Sequence, residues 1–317
     1  MTEILFIKTS SMGDVLHHMP AVTDARRRFP QARITWVVDE LYAPLARLHP
    51  AINEIVPIAV RRWRKHLHEL PTWNEIREAT SKLRARGYDT VIDTQGLVRT
   101  ALMTKLIHGT SHGYDADSIR EPFAARFYDV NHRVDWDLHV IARNRTLTGR
   151  ALGYEPEGAP DYGFDRNCFK PEPAAPYAIL FHATAKTGKE WPEDRWIEVG
   201  KFLSGRGLQV VLPWGNDAER ARSERIAAQL SHATVPERRP ILEVGKQIAG
   251  AKLVVGVDTG FLHIAAALGV PAVAIFTIVK SHTAMPVGPG KVEMAGAENG
   301  IPETASVLAA VERLGAV

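Results

Sequence analysis

Short apolar runs alternate with amphipathic stretches along the first half of the chain. The pattern predicts strands at 3–7 and 33–38, an apolar run at 53–60, a strand ending at Asp93, and helices at 14–29 and 71–86. A succession of strand, crossover helix and strand is typical of a parallel sheet with helices on both faces. We therefore expect an α/β fold built on such a sheet.

A proline-rich segment, Glu155–Pro176, interrupts this pattern and marks a domain boundary. The alternation then restarts, with strands predicted at 177–183, 208–215, 252–258 and 271–276 and helices at 195–204 and 217–230. We predict one domain over 1–165 and a second over 177–302. The amphipathic segment 303–317 is predicted to be a helix that packs back on the first domain.

Composition narrows the class of protein. The 317 residues carry a net charge of +3, and residues 1–160 hold 22 Lys and Arg against 19 Asp and Glu. So small an excess does not indicate nucleic-acid binding, although an anionic partner would more readily contact the first half. Cys168 is the single cysteine, which excludes an internal disulfide or a Cys-rich metal site. No apolar run is long enough for a membrane span or a signal peptide.

The first motif, KTSSMGDVLHHMPA, starts where the first predicted strand ends and runs into a helix. Ligands of parallel sheets bind beyond the carboxyl ends of the strands, so Asp14 would face such a site. Asp is also a favoured N-cap residue, and capping alone would equally account for Asp14. His17 and His18 are interpreted as ordinary helix residues.

Two motifs in the second half also follow strands. The loop after the 177–183 strand contains Thr184 and Lys189, which would offer a hydroxyl and a cation, although such loops are often plain turns. In VVGVDTGFLHIAAAL a strand ends at Asp258 and Thr259-Gly260 opens a helix, whose free N–H groups would bind an anion. The alternative is a capped helix with His263 packed on the sheet.

The segment AVRRWRKHLH concentrates cations around an aromatic residue. Charge runs are usually solvated faces, and a phosphate-rich or membrane-surface partner is the functional alternative. The two D-x-D triplets, Asp115–Asp117 and Asp135–Asp137, do not follow apolar strands, so we interpret them as surface acids rather than metal ligands.

Together the motifs resemble those of the bacterial lipopolysaccharide heptosyltransferases, glycosyltransferase family nine. The resemblance covers nearly the whole chain and is carried, in family order and spacing, by KTSSMGDVLH, VIDTQGL, REPFAARFY, HAT with KEWP, and VDTGFLHIAAAL. The basic RRWRK segment favours the type I members. The resemblance implies a GT-B fold, in which two Rossmann-like domains with parallel sheets face a central cleft and the second domain binds the donor.

The resemblance also implies an activity: inverting, metal-independent transfer of heptose from ADP-heptose to the Kdo sugar of Kdo-lipid A in lipopolysaccharide inner-core synthesis. ADP-heptose would be a substrate, and no cofactor is expected. The enzyme would work in the cytoplasm, peripherally on the inner membrane. The alternatives are another core heptosyltransferase, of type II or later, and a nucleotide-sugar-binding module that has lost transfer.

Site residues are implied position by position. Asp14 falls on the catalytic base, and Lys189 is expected to assist departure of the diphosphate. The donor site is implied to contain Thr184, Ala185, Lys189, Glu219, Asp258, Thr259, Gly260 and His263. The phosphorylated acceptor is implied to contact Arg61, Arg62, Arg64, Lys65 and Arg120. No metal site is expected.

Overall fold

The computed structural model describes residues 1–164, 166–171, 175–184, 190–277, 282–296 and 300–316. The chain divides into two compact units, Met1–Asp165 and Arg166–Val317. Each unit contains one six-stranded sheet in which every strand pair is parallel.

The sheet of the first unit has the strand order β3-β2-β1-β4-β5-β6. Its strands are β1 (Glu3–Ile7), β2 (Arg33–Asp39), β3 (Glu54–Ile58), β4 (Gly87–Asp93), β5 (His108–Tyr114) and β6 (Val130–His132). Its helices are α1 (Met12–Arg28), α2 (Ala43–Ala46), α3 (Val60–Trp63), α4 (Leu70–Arg84), α5 (Val98–Thr104) and α6 (Val140–Leu152), and Pro122–Phe127 forms a 3-10 turn.

Strand β1 is apolar from Ile4 to Ile7 because helices cover both faces of the sheet. Leu5 and Ile7 belong to a core cluster that also contains Leu83 of α4. Ile4 and Phe6 point to the opposite face and are fully buried there. The continuous apolar run therefore predicts a central strand, as observed.

The second unit repeats the arrangement with the order β12-β11-β10-β7-β8-β9. Its strands are β7 (Tyr177–Phe181), β8 (Gln209–Val211), β9 (Ala233–Thr234), β10 (Leu253–Val257), β11 (Ala272–Phe276) and β12 (Val292–Gly296). Its helices are α7 (Glu193–Gly205), α8 (Asp217–Ala227), α9 (Ile241–Gly250), α10 (Gly260–Ala267) and α11 (Thr304–Leu314), with 3-10 turns at Arg166–Phe169 and His282–Ala284.

Helix α11 belongs to the core of the second unit. Val307 and Val311 lie in one hydrophobic cluster with Trp191 and Trp196, whose rings meet edge to face with centroids 5.1 Å apart. The indole N–H of Trp191 donates to the carbonyl of Pro302 at 2.8 Å and so ties the entry to α11 to the same core. The expectation that segment 303–317 packs on the first domain is therefore corrected: its apolar face completes the second unit.

Both sheets have the same order when their strands are numbered from the start of each unit, 3-2-1-4-5-6. This is the Rossmann order, in which ligands bind where the first and fourth strands lie side by side. Among the described residues, no helix combines the length and the apolar composition that crossing a bilayer requires.

Candidate active site

In the first unit, β1 and β4 are neighbours, with Ile7 opposite Asp93. Strands β2 and β3 lie on one side of this pair and β5 and β6 on the other. The loops that leave β1 and β4 therefore emerge together at the carboxyl edge of the sheet. This is the position at which the first motif and Asp14 were predicted to form a site.

Hydrogen bonds clamp these two loops together. The buried ammonium of Lys8 donates to the carbonyl of Thr94 at 2.9 Å. In return, Oε1 of Gln95 accepts from the backbone N–H groups of Thr9 at 2.8 Å and Ser10 at 3.0 Å. Sequence reasoning did not select Gln95, although VIDTQGL contains it, because its partners are more than 80 residues away.

Buried charges underlie the clamp. Burial lowers the pKa of Lys8, while the carboxylates of Asp14 and Asp93 act in the opposite direction. Asp93 is also fully buried, which raises its pKa, and it accepts from the Tyr128 hydroxyl at 2.8 Å and from the Gln95 N–H at 2.8 Å. The carboxylate of Asp93 thus orders the loop that holds Gln95.

Asp14 lies in the first turn of α1 and is half buried. Its Oδ2 accepts from the backbone N–H of Ser11 at 2.7 Å and from the Ser11 hydroxyl at 3.0 Å. Its Oδ1 has no hydrogen-bond partner within the described part of the chain. Ser11 is therefore the N-cap of α1 and Asp14 completes a capping box from the third helical position, so the interpretation of Asp14 as the N-cap residue is corrected, and its Oδ1 lies outside this contact.

The two histidines of the motif differ from Asp14. The ring of His18 is fully buried, meets Phe6 and Trp36 edge to face, and lies 3.2 Å from the Thr94 hydroxyl through Nδ1. Burial lowers the pKa of His18 well below its usual value, so the ring is neutral. His17 is also buried and its ring contacts His139.

The cations of the basic segment separate into two groups. Arg61 and Arg64 line a cavity of about 130 Å³ together with Thr9, Ser10 and Arg99. The guanidinium of Arg99, which sequence reasoning did not select, lies 3.5 Å from the Ser10 hydroxyl. This cavity brings positive charge to the loop that precedes Asp14.

Arg62 has a different environment. Its guanidinium donates to Glu40 at 2.8 Å and to Glu75 at 2.8 Å, and these hydrogen bonds raise its pKa. The indole of Trp63 also donates to Glu75 at 2.8 Å. Arg62 thus joins α3 to α4 and to the end of β2, whereas Lys65 lines a neighbouring groove.

Arg120 is exposed in the turn that follows β5. The preceding residue, Ile119, packs against Gly96, where an added Cβ would meet Ile119 at 3.0 Å and where φ is +67°. The structure therefore places the Arg120 turn beside the loop that follows β4, on the side of the sheet away from α3.

In the second unit the equivalent loops follow β7 and β10, which are adjacent. The hydroxyl of Thr184 donates to the carbonyl of Asp258 at 3.3 Å, so the structure brings these two predicted donor residues together. Thr259 is the N-cap of α10 and Gly260 its first residue. His263 is buried one turn later.

Glu219 has a capping role in α8. Its carboxylate accepts from the Gly215 N–H at 2.7 Å and from the Asn216 side chain at 2.7 Å, while Asn216 accepts from the Glu219 N–H. This reciprocal arrangement fixes the loop that follows β8.

Two predicted residues, Ala185 and Lys189, lie outside the described residues. The D-x-D acids form local turns, in which Asp115 accepts from the Ser118 N–H and Asp135 from the Asp137 N–H. Across the described ranges, no group of three or more His, Cys, Asp and Glu residues is arranged to hold a metal ion.

The family described as glycosyltransferase family 9 (heptosyltransferase) matches residues 76–307. This chain belongs to that family. It is therefore a glycosyltransferase, and the family predicted from the motifs is confirmed.

Individual relatives agree with this assignment. Lipopolysaccharide heptosyltransferase 1 of Pseudomonas aeruginosa is 44% identical over 276 residues, which cover 86% of this chain and 78% of the relative. The structure of E. coli heptosyltransferase WaaC with ADP is 36% identical and matches with a TM-score of 0.89 over 99% of this chain and 100% of that one. The same enzyme with ADP-2-deoxy-2-fluoro heptose gives a TM-score of 0.84 over 98% of each chain.

These matches confirm the predicted fold class, a GT-B glycosyltransferase with two Rossmann-like α/β sheets. The roles assigned to individual residues stay predictions.

Proposed function

We propose that this glycosyltransferase moves heptose from ADP-heptose to the Kdo sugar of Kdo-lipid A, with inversion and without a metal ion, at the cytoplasmic face of the inner membrane. The observation that carries the proposal is the placement of Asp14. It follows the loop at the Rossmann switch point of the first unit, and Thr9 and Ser10 of that loop line a cavity with Arg61, Arg64 and Arg99.

Asp14 acts as the general base in this proposal. Its Oδ1 takes the proton of the acceptor hydroxyl while the hydroxyl oxygen bonds to the anomeric carbon and the bond to the diphosphate breaks. Inversion follows because attack and departure occur on opposite faces of that carbon. The bonds from Ser11 to Oδ2 orient the carboxylate for this step.

The negative charge that develops on the departing ADP is stabilised in the second unit. The N-terminus of α10, at Thr259 and Gly260, presents backbone N–H groups and the positive end of a helix dipole. The Thr184 hydroxyl lies beside it, and Lys189 would add a cation from the loop after β7. Such groups stabilise the diphosphate as a bound metal would.

The phosphorylated acceptor is assigned to the cation-lined cavity of the first unit. Arg61, Arg64 and Arg99 are suited to phosphate because guanidinium groups pair with it in a bidentate manner. Lys65 lines the neighbouring groove and Arg120 stands beside the loop that follows β4, whereas Arg62 is already paired with Glu40 and Glu75.

An acceptor comparison tests the proposal. The enzyme is incubated with ADP-heptose and either Kdo-lipid A or the same acceptor already carrying its first heptose, and ADP release is measured. We expect turnover with Kdo-lipid A alone, and an inverted anomeric configuration in the product by NMR. Preference for the heptosylated acceptor would assign the chain to a later core step. Absence of turnover with both would favour a binding module.

Metal independence has its own measurement. Turnover in excess EDTA should equal turnover in untreated buffer, since cationic side chains and a helix N-terminus hold the diphosphate. Loss of activity in EDTA that a divalent cation restores would contradict this part of the proposal.

A further inference from the structure

Three large apolar side chains are exposed within seven residues of the first unit. Leu67 is 47% exposed, Leu70 79% and Trp73 46%. They form one surface feature, because the Trp73 indole N–H donates to the Leu67 carbonyl at 2.8 Å and Leu70 and Trp73 are one turn apart in α4. We call Leu67, Leu70 and Trp73 the apolar ridge.

The ridge is not needed to attach α4 to the sheet. Helix α4 packs against the sheet through Leu83 and Ala79, further along the helix. Thr72 is the buried residue of its first turn. Leu70 and Trp73 therefore point to solvent at the end of α4 where the helix begins, which reverses the usual distribution of apolar residues on a surface helix.

Cations precede the ridge in the sequence, and two carboxylates that no Lys or Arg pairs with in the described ranges accompany them: Asp39 lines the same cavities as Arg64 and Lys65, and Glu69 stands within the ridge segment. Arg64 and Lys65 are exposed and form no ion pair with any carboxylate in the described ranges. Glu75 is paired with Arg62, and Glu69 lies 2.7 Å from His66. With Arg61 also free of an ion pair in the described ranges, three cations stand against the carboxylates of Asp39 and Glu69, and an apolar feature next to this net positive charge complements an anionic surface that has an apolar interior.

We propose that the apolar ridge inserts into the interfacial layer of an anionic lipid bilayer while Arg64 and Lys65 contact the headgroups. Leu supplies apolar area to the acyl boundary, and Trp is favoured at the interface because its N–H can stay hydrogen-bonded there. Lys and Arg add attraction to anionic lipid that acts within a Debye length.

The position of the ridge gives this contact a purpose, which rests on the proposed function. Arg64 lines the cavity beside Thr9 and Ser10 and stands three residues before Leu67. A lipid-linked acceptor could therefore place its phosphates in the cavity while its acyl chains remain in the bilayer. The enzyme would act on the acceptor without extracting it.

Vesicle flotation of the full-length protein tests the inference without relying on catalysis. Wild type should float with vesicles that contain phosphatidylglycerol and bind much less to pure phosphatidylcholine. The Leu67→Ser/Leu70→Ser variant should partition into these vesicles about tenfold less than wild type, because two apolar side chains no longer insert. Met294→Ser/Ile301→Ser, which alters exposed apolar residues of the second unit, should float like wild type.

Several outcomes would overturn the inference. The first is that the ridge variant floats like wild type, and the second is that the control variant loses as much vesicle binding as the ridge variant. The third is a difference in oligomeric state between the ridge variant and wild type by light scattering, which would make the ridge a contact between copies of the chain. Thermal unfolding of both variants guards against misfolding, and Trp73→Gln provides a second ridge variant.

Turnover separates this inference from the proposed function. With a water-soluble, deacylated acceptor, the ridge variant should retain the wild-type rate, whereas with acceptor in vesicles its rate should fall. If wild type is inactive on both acceptors, the proposed function fails while the flotation result still stands. If the ridge variant loses equal activity on both acceptors, the ridge acts on the reaction and not on membrane contact.

Discussion

The loops after the first and fourth strands occupy the same topological position in both units, but they hold different groups. In the first unit this position contains the charged side chains Lys8, Asp14 and Asp93. In the second, the described residues at this position include Asp258, whose carbonyl accepts from the Thr184 hydroxyl, and the backbone start of α10. The strand order thus decides where a ligand can bind, and the side chains decide which ligand and which chemistry.

The contrast has a physical basis. In the proposed reaction the first unit moves a proton, which requires a titratable group held in place, and the hydrogen bonds from Ser11 hold Asp14. In the same proposal the second unit holds the diphosphate, which requires donors that stay fixed throughout the reaction, and the N–H groups at the start of α10 are such donors.

The largest effect is expected at Asp14. Asp14→Asn keeps the size and much of the capping ability of the side chain but removes the basic oxygen. We expect kcat to fall by about 10²–10⁴, with ADP affinity and melting temperature close to wild type. Steady-state kinetics, calorimetry of ADP binding and thermal unfolding measure the three quantities.

Asp217→Asn is the matched control, because Asp217 is a carboxylate in the first turn of a helix in the second unit. Its kcat should change little. Near-normal kcat in Asp14→Asn would assign Asp14 to capping alone and remove the catalytic distinction between the units.

The next effect concerns the acceptor. Arg61→Ala/Arg64→Ala should raise the acceptor KM by roughly tenfold to thirtyfold at low salt and weaken its salt dependence, because each cation near an anionic surface contributes about 1 kcal/mol. The affinity for ADP should not change, because the donor site is assigned to the second unit. Kinetics over a salt series check both statements.

Arg62→Ala serves as the comparison, since its guanidinium is already paired with Glu40 and Glu75. We expect a small loss of thermal stability, because exposed ion pairs contribute about 0–1 kcal/mol, and a much smaller change in acceptor KM. If the acceptor KM rose equally in both variants, Arg62 would contact the acceptor despite its ion pairs with Glu40 and Glu75.

A smaller effect is expected at the donor loops. Thr184→Val removes the hydroxyl that donates to Asp258 and should weaken ADP binding by about threefold to tenfold. Thr9→Val makes the same change in the equivalent loop of the first unit and should leave ADP affinity unaltered. Calorimetric titration of both variants with ADP measures the two affinities. A larger loss of ADP affinity in Thr9→Val than in Thr184→Val would refute the assignment of the donor to the second unit.

The last effect, on stability and not on turnover or binding, is a pH dependence expected in both units. Burial lowers the pKa of His49 in the first unit and of His182 in the second to about 4. The unfolded chain binds these protons near pH 6.5, so acid favours the unfolded state, and stability should fall as pH drops from about 6.5 to about 4. Above pH 6.5 these groups add no pH dependence.

Calorimetric melting between pH 4 and 7.5 measures this effect. His182→Gln should flatten the acid side of the unfolding profile for the second unit, and His49→Gln should do so for the first. An unchanged acid slope in both variants would assign the acid sensitivity to other groups.

Much of the fold could be predicted from the sequence because central parallel strands are apolar on both faces. The predicted 271–276 strand is observed as Ala272–Phe276, and the predicted 3–7 strand as Glu3–Ile7. Strand β5 was not predicted, since HGTSHGY lacks apolar periodicity and forms a strand by pairing with β4. Strand β9 has two residues, too few to produce a pattern.

The site was predictable where a motif follows a strand and less so where partners are distant. The position of Asp14 beside the carboxyl edge follows from strand, loop and helix in sequence. The pairing of Arg62 with Glu40 and Glu75 could not be predicted, because local sequence shows only a row of cations. Gln95 was missed for the same reason, since its role depends on contacts across the sheet with Thr9 and Ser10.

The place of α11 in the second core has a consequence for synthesis on the ribosome. Every strand of the first sheet lies before residue 133, so that unit has all its strands while the rest of the chain is still being translated. The second unit must wait for Val307 and Val311 to emerge before its apolar core can close. We therefore expect the nascent chain to acquire protease resistance in two steps, with the first unit protected well before the second.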